Sequence, residues 1–200
     1  MLMGLILEYT APQTALDEDE KEGLLVKTIT SRQELDEFEQ QNIEQAIKWS
    51  MHKRFKISKI LTERFVCHLH EKMFDQTWAW AGEFRKSNKN IGVDKYRIGI
   101  ELGQLLSDCR YWIANNTYTA DEIAIRLKHR IVKIHPFPNG NGRHSRLLAD
   151  ILVEHGFGRP HFTWGSQKID CHKTIRKDYL HALFNADREN YDPLLAFARK

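Results

Sequence analysis

From Ala120 onward, apolar residues fall at 120, 123, 124, 127, 131 and 134, and Pro136 then cuts the rhythm short. Spacings of three and four mark one face of an α-helix. Thr119 stands where an N-cap belongs. Proline lacks an N–H and disfavours helical backbone in the residue before it, which sets His135 at the end of the helix. A second apolar face resumes with Leu147, Leu148, Ile151 and Leu152, and Gly156 is expected to stop it. Two packed helices joined by a glycine- and proline-rich loop, HPFPNGNGRHSR (135–146), are therefore the central constraint on the fold.

The rest of the chain reads the same way. Ser31 with Glu34 forms a capping-box pattern ahead of an apolar face of Leu35, Phe38, Ile43, Ala46, Ile47 and Trp49 or Ser50. A helix over 58–74 turns Ile60, Leu61, Phe65, Leu69 and Met73 inward, and Leu102, Leu105, Leu106, Cys109 and Trp112 outline another. Residues 83–98, EFRKSNKNIGVDKYRI, break the helical spacing and are expected to form a small β-hairpin. Two closing helices are expected near 167–185 and 190–198. The fold class is mainly α, a helical bundle with one small β-hairpin. An irregular arm (1–30) precedes the domain (31–198), and LDEDEKEGLL in that arm makes at most a short acidic helix.

Composition excludes more than it assigns. A chain of 200 residues is long enough to bury roughly 70% of its unfolded surface without staples. The net charge of +3 is too mild to argue for nucleic acid. Cys67, Cys109 and Cys171 are widely spaced and lack a CxxC pair, as expected of reduced core thiols in a cytoplasmic protein. MLMGLILEY lacks the basic start of a signal peptide, and no apolar run reaches membrane-spanning length, so no membrane partner is expected. The histidines at 129, 135, 144, 155, 161 and 172 match no zinc-ligand spacing.

The loop carries the chemistry. Phe137 is its one large apolar residue and is expected to plug the core. Gly140, Asn141 and Gly142 can adopt positive φ, so that successive N–H groups converge into an anion nest. The helix that begins near Arg143 adds its free N–H groups and its dipole. Arg143 and Arg146 are three residues apart on one face, and arginine grips phosphate oxygens bidentately. These features point to a polyphosphate site. His135, with an ordinary pKa of about 6.5, is the natural general base beside it. His144 is out of phase with the two arginines and is expected at the surface. The basic residues of KHRIVKIH are expected to form a solvated face, and Lys86, Lys89, Lys95 and Arg97 a basic hairpin surface. Trp78 and Trp80 are expected to pack in the core.

HPFPNGNGRHSR resembles the signature of the Fic family, H-x-F-x-(D/E)-G-N-G-R-x-x-R. His135, Phe137, Gly140, Asn141, Gly142, Arg143 and Arg146 match. WAWAGEFRKSNKNIGVDKYRI resembles that family's flap region, and DYLHALFNADRENYDPLLAF its closing helices. The arm and the phrase NIGVD resemble the Fic-like subgroup called mobile mystery protein B. The resemblance implies transfer of AMP from ATP to a Tyr, Thr or Ser hydroxyl of a protein substrate, with His135 as base. It implies phosphate contacts from the N–H groups of Gly140, Asn141 and Gly142 and from Arg143 and Arg146, with Asn141 also positioning the phosphates. Ile91, Gly92, Val93 and Asp94 would dock the target chain by strand addition. By analogy with small bacterial Fic proteins it also implies a toxin-like role.

Asn139 departs from the pattern. The family's carboxylate at that place holds Mg²⁺, whereas asparagine offers only a neutral carbonyl oxygen. Two alternatives therefore stand beside an AMP transferase. One is a nucleotide-binding module with weak or no catalysis; the other is an enzyme with a different donor, phosphate or another nucleotide. Asp150 lies two turns along the helix, too far to compensate. Many members also carry an inhibitory helix, (S/T)-x-x-x-E-(G/N), whose glutamate pairs with the second arginine. Neither Glu22–Gly23, Glu189–Asn190 nor the segment 37–46 fits it. Intramolecular inhibition is accordingly expected to be absent or altered, with a separate antitoxin-like partner supplying it.

Overall fold

A computed structural model describes residues 16–165 and 172–200. Within them the helices are α1 (Glu18–Glu22), α2 (Arg32–Met51), α3 (Ile57–Ile60), α4 (Glu63–Phe74), α5 (Ile98–Ala114), α6 (Ala120–Ile134), α7 (Asn141–Ile151), α8 (His172–Ala186) and α9 (Asp192–Arg199). α6 is the central helix: α5 and α7 pack along it, α9 touches it, α2 pairs with α4, and α8 with α9. None of the described helices is long and apolar enough to cross a membrane.

Local chemistry sets most of the boundaries. The Ser31 hydroxyl accepts from the Glu34 N–H at 3.3 Å, and the Glu34 carboxylate accepts from the Ser31 N–H at 3.0 Å. This reciprocal pair satisfies two amides that the helix start leaves open. Thr119 caps α6 by accepting from the Glu122 N–H at 3.2 Å. The helix expected over 58–74 is divided into α3 and α4, because Thr62 accepts from the Phe65 N–H and starts a new helix there. Ile60, Leu61, Phe65, Leu69 and Met73 are nonetheless all buried, as their spacing predicts. Burying a side chain of this size contributes about 1.5–3 kcal/mol. α7 gives way at Leu152 to one wide π-turn through Gly156. Cys109 is buried and Cys67 half-buried, while Cys171 and the start of the helix expected from 167 lie outside the described residues.

The expected β-hairpin is not formed: among the described residues the only β-bridge joins Leu24 to Trp78. Side chains replace the ladder. Arg85 donates from Nη1 to the Ser87 carbonyl, from Nη2 to the Val93 carbonyl and from Nε to the His135 carbonyl. Asn88 donates to the Asp94 carboxylate and accepts from the Lys95 N–H, which draws the two limbs together. A guanidinium that fills three carbonyls leaves no register for strand pairing, so the flap is an irregular loop. α1 clamps it, with Lys89 Nζ 3.0 Å from Asp17 and 2.5 Å from Glu20. Lys89 is thus tied down instead of joining a solvated basic surface.

Candidate active site

His135 caps the C-terminus of α6 in the left-handed region, φ 54° and ψ 59°, and its N–H donates to the Ile131 carbonyl at 2.9 Å. Pro136 forbids another helical turn, and the αL cap swings the chain off the helix axis. The flap closes over this point. The Val93 N–H donates to the Ile134 carbonyl at 3.2 Å, and the Arg85 N–H to the Pro136 carbonyl at 2.9 Å. Gly92, with φ +102°, is so close that a Cβ there would sit 2.7 Å from the His135 Cβ. His135 is consequently only 5% exposed. Burial pushes its pKa down to about 4, with Arg85 and Lys89 adding to the effect and the Val132 carbonyl opposing it. The imidazole is neutral near pH 7, the protonation state a base requires.

The loop beyond it is pinned from below. Phe137 is fully buried, as expected, and stacks on His70 with ring centroids 3.8 Å apart. His70 Nδ1 accepts from the Gly82 N–H at 3.0 Å, so its Nε2 is the donor to the Asn139 carbonyl, also at 3.0 Å. One neutral ring thereby fixes both the loop and the base of the flap. Burial holds the His70 pKa well below the ordinary range. His144 corrects its surface assignment: it is 0% exposed, and its Nε2 lies 3.0 Å from the Val66 carbonyl, because α7 is covered by α4 as well as by α6.

The expected nest of three residues at positive φ is not formed: only Gly140 is left-handed, and Asn141 and Gly142 are already the first residues of α7, which starts two residues before Arg143. Gly140 adopts φ +76°, and a Cβ there would meet Phe74 at 2.5 Å, so the position admits only glycine. The first bond of α7 runs from the His144 N–H to the Gly140 carbonyl. The amides of Asn141, Gly142 and Arg143 therefore precede the helical ladder and carry the positive end of its dipole. Two expected contributors are otherwise occupied. The Gly140 N–H donates to Asn139 Oδ1 at 2.6 Å. The Asn141 side chain staples the loop, accepting from the Phe137 N–H at 3.0 Å and donating to the Phe137 carbonyl at 2.8 Å.

Arg143 is also engaged: its Nη1 is 2.6 Å from Oε2 of Glu39, a residue only 1% exposed on α2. The other carboxylate oxygen of Glu39 accepts from the Trp78 indole N–H at 2.6 Å. The first arginine, not the second, is thus covered by a carboxylate, and from a segment without the inhibitory pattern. Arg146 has an aromatic neighbour, its guanidinium carbon lying 5.7 Å from the Tyr179 ring centroid.

A magnesium ion does not fit the residues present. The Asn139 oxygen is held by the Gly140 N–H, and Asp150 accepts from the Phe162 N–H and the Trp164 indole. The described residues contain no cluster of three or more His, Cys, Asp or Glu able to hold a metal ion.

Among the flap residues, Asp94 accepts from the Tyr96 N–H and caps a short 3₁₀ turn, Ile91 is exposed, and Gly92 and Val93 lie against His135 and Ile134. Ile91, Gly92 and Val93 also line a cavity of about 900 Å³ that reaches Val132 and Ile134 on α6 and Leu183 and Asp187 at the end of α8. Sequence reasoning missed Glu39, His70, Arg85 and Lys128. Glu39 falls four residues after Leu35 and four before Ile43, on the buried stripe of α2, and His70 falls beside Leu69 on that of α4. A charged or polar residue in apolar phase was the available signal.

Residues 60–153 match the sequence model of the Fic/DOC family. A protein adenylyltransferase Fic of Drosophila grimshawi is 28% identical over 119 residues, covering 58% of this chain and 23% of that protein. A protein adenylyltransferase of Bartonella henselae is 30% identical over 112 residues, 45% of this chain and 21% of that protein. The chain thus spans less than a quarter of the length of these curated relatives. Similar solved structures include BepC of Bartonella tribocorum with bound AMPPNP, at TM-score 0.66 and 16% identity over 92% of this chain and 97% of that one. Another is the N-terminal Fic domain of a VirB-translocated Bep effector of Bartonella quintana with bound ADP, at TM-score 0.60 and 16% identity over 86% of each chain.

Proposed function

The chain carries a Fic/DOC family domain, and from that premise we propose that it is a protein adenylyltransferase that moves AMP from ATP to a Tyr, Thr or Ser hydroxyl. The observation that carries the reading is the start of α7: three unladdered amides, with Arg143 and Arg146 one turn apart, on the same short loop as a neutral His135. That arrangement suits a polyphosphate beside a base. His135 takes the proton from the attacking hydroxyl, the oxygen bonds to the α-phosphorus, and pyrophosphate leaves, its charge held by the amides and guanidinium groups. The irregular flap at Ile91–Val93 presents the target segment across His135. No step is assigned to a metal.

A second reading, a nucleotide-binding module with little turnover, is favoured by one specific observation: Asn139 turns its oxygen to its own loop, while the Asp150 carboxylate is held by Phe162 and Trp164. A different donor, phosphate or another nucleotide, fits the same cradle. The arm and the NIGVD segment support placement in the mobile mystery protein B subgroup. The reading also keeps a protein substrate, a cytoplasmic setting and an antitoxin-like partner that would act by adding to the Glu39 mask.

Incubation with α-labelled ATP and a lysate tests the proposal. Labelled protein bands that vanish in His135→Ala are expected; no label, or label that survives the substitution, overturns it. Intact mass of a modified target separates AMP from phosphate or another nucleotide. Nucleotide binding without turnover leaves the module.

A further inference from the structure

Lysine is almost never fully buried unless paired with a carboxylate. Lys128, in the middle of α6, is 0% exposed, which corrects the expectation that it joins a solvated basic face, whereas Lys133 on the same helix is exposed. Its partner is not a carboxylate. Nζ donates to the Tyr179 hydroxyl and lies 4.5 Å from the centroid of that ring. The guanidinium carbon of Arg146 lies 5.7 Å from the same centroid. Tyr179 is backed by Phe197 of α9, with centroids 5.4 Å apart. One aromatic ring thus stands between a buried amine and the second arginine of the cradle.

The charged and titratable groups facing Lys128 are Arg146 from α7 and Tyr179 from α8, with His129 beside it on α6. Burial holds the amine well below the ordinary lysine range, and Arg146 pushes in the same direction. An ammonium here is desolvated and repelled by its neighbour. A polyphosphate bound at Arg143 and Arg146 brings several negative charges and offsets that repulsion.

Resting on the adenylyltransferase reading, we propose that Lys128 is a positioning residue of the phosphate site: through Tyr179 it holds Arg146, and it takes up one proton when a polyphosphate binds. The proton moves from solvent to the Nζ lone pair; no covalent bond to the nucleotide forms. A lysine with a merely structural role would leave the proton count of binding unchanged.

The test is calorimetric titration of the full chain with ADP at a series of pH values from neutral upward, each in two buffers of different ionisation enthalpy. The dependence of observed heat on buffer gives the protons exchanged. Net proton uptake on ADP binding is expected, together with an affinity that falls by up to tenfold per pH unit between the free-state and the bound-state pKa of Lys128. Lys128→Met should bind ADP without uptake. Where that variant does not fold, Lys128→Arg serves, since a permanently charged group cannot accept a proton. Binding without uptake in the wild type, or uptake that persists in both variants, overturns this inference and leaves the adenylyltransferase reading standing. Failure of the wild type to bind ADP overturns that reading and this inference with it.

Discussion

Replacing Glu39 with glutamine should free Arg143 for an incoming phosphate while leaving the fold in place. Glu39 spends one oxygen on the Trp78 indole N–H and the other on Arg143. Glutamine keeps an oxygen for the indole, so no buried donor is orphaned there. Removing one member of a buried ion pair costs about 3–5 kcal/mol when the other charge stays buried. The Arg143 side chain, however, is 31% exposed and can turn to water, so the loss should be nearer 1 kcal/mol. The gain appears in binding. A hydrogen bond to a charged group contributes about 1.5–3 kcal/mol, and every 1.4 kcal/mol is about tenfold in affinity. In the wild type an incoming phosphate must displace the carboxylate, whereas in the variant it meets an unpaired guanidinium. Glu39→Gln should therefore tighten ADP binding about 10- to 100-fold. Calorimetric titration of both proteins measures it, with denaturant unfolding as the check on stability. An affinity within about twofold of wild type, in a variant of unchanged fold, would refute the idea that the pair masks the site.

Three further outcomes are expected. In protein that remains folded, the loss of kcat/KM of the labelling reaction due to His135 should set in only near pH 4, because the reactive form of His135 is the unprotonated one and its pKa is pushed to about 4; an acid limb near pH 6.5 would mean that the flap does not desolvate the ring. Asn139→Asp should raise magnesium-dependent turnover about tenfold or more, about 1.4 kcal/mol of barrier, and equal rates in the two proteins would show that the missing carboxylate is not what limits turnover. Stability should fall as the pH drops from about 6.5 to 4, since burial lowers the pKa of His70, His129, His135 and His144 in the folded chain. A depressed histidine stabilises the fold above its unfolded pKa, and that contribution is lost as protonation begins to favour the unfolded chain. His135 and His144, each shifted from 6.5 to about 4, contribute on the order of 3 kcal/mol apiece. Asp150, pushed up to about 6, acts in the opposite direction. Guanidinium unfolding at pH 7 and pH 5 checks the sign, and equal midpoints would contradict it.

The helices were legible because their spacing and caps are local. Ser31 with Glu34, Thr119, and the stripe from Ile123 to Ile134 need only their neighbours along the chain to be read. The loop was legible for the same reason: Pro136 and Gly140 restrict their own backbone. What escaped depends on partners distant in sequence. Glu39 meets Arg143 across 104 positions, and His70 meets Asn139 across 69. The flap misled because a turn-rich break in helical spacing reads as a hairpin, whereas the Arg85 guanidinium takes the carbonyls that a ladder would use. His144 and Lys128 misled because helical phase assigns one buried face, and α6 and α7 are each covered on more than one side.

The unfavourable terms of this fold gather around one loop. His135 sits in the left-handed region, a conformation that costs non-glycine residues on the order of 1 kcal/mol. A carboxylate is buried on α2 to reach Arg143, and an amine is buried on α6 behind Arg146. An apolar residue at position 39 or 128 would spare the chain a desolvated polar group, so neither residue is explained by core packing alone. A polyanion at the start of α7 would relieve the Arg146–Lys128 repulsion and supply Arg143 with an external partner in place of Glu39. The two polar intrusions thus reach one arginine each, Glu39 at Arg143 and Lys128 through Tyr179 at Arg146, one supplying the negative charge that a phosphate would bring and the other the positive charge that a phosphate would favour. That shared dependence ties Glu39 and Lys128 to the proposed site, and it makes phosphate occupancy, more than helix packing, the variable against which their contributions should be measured.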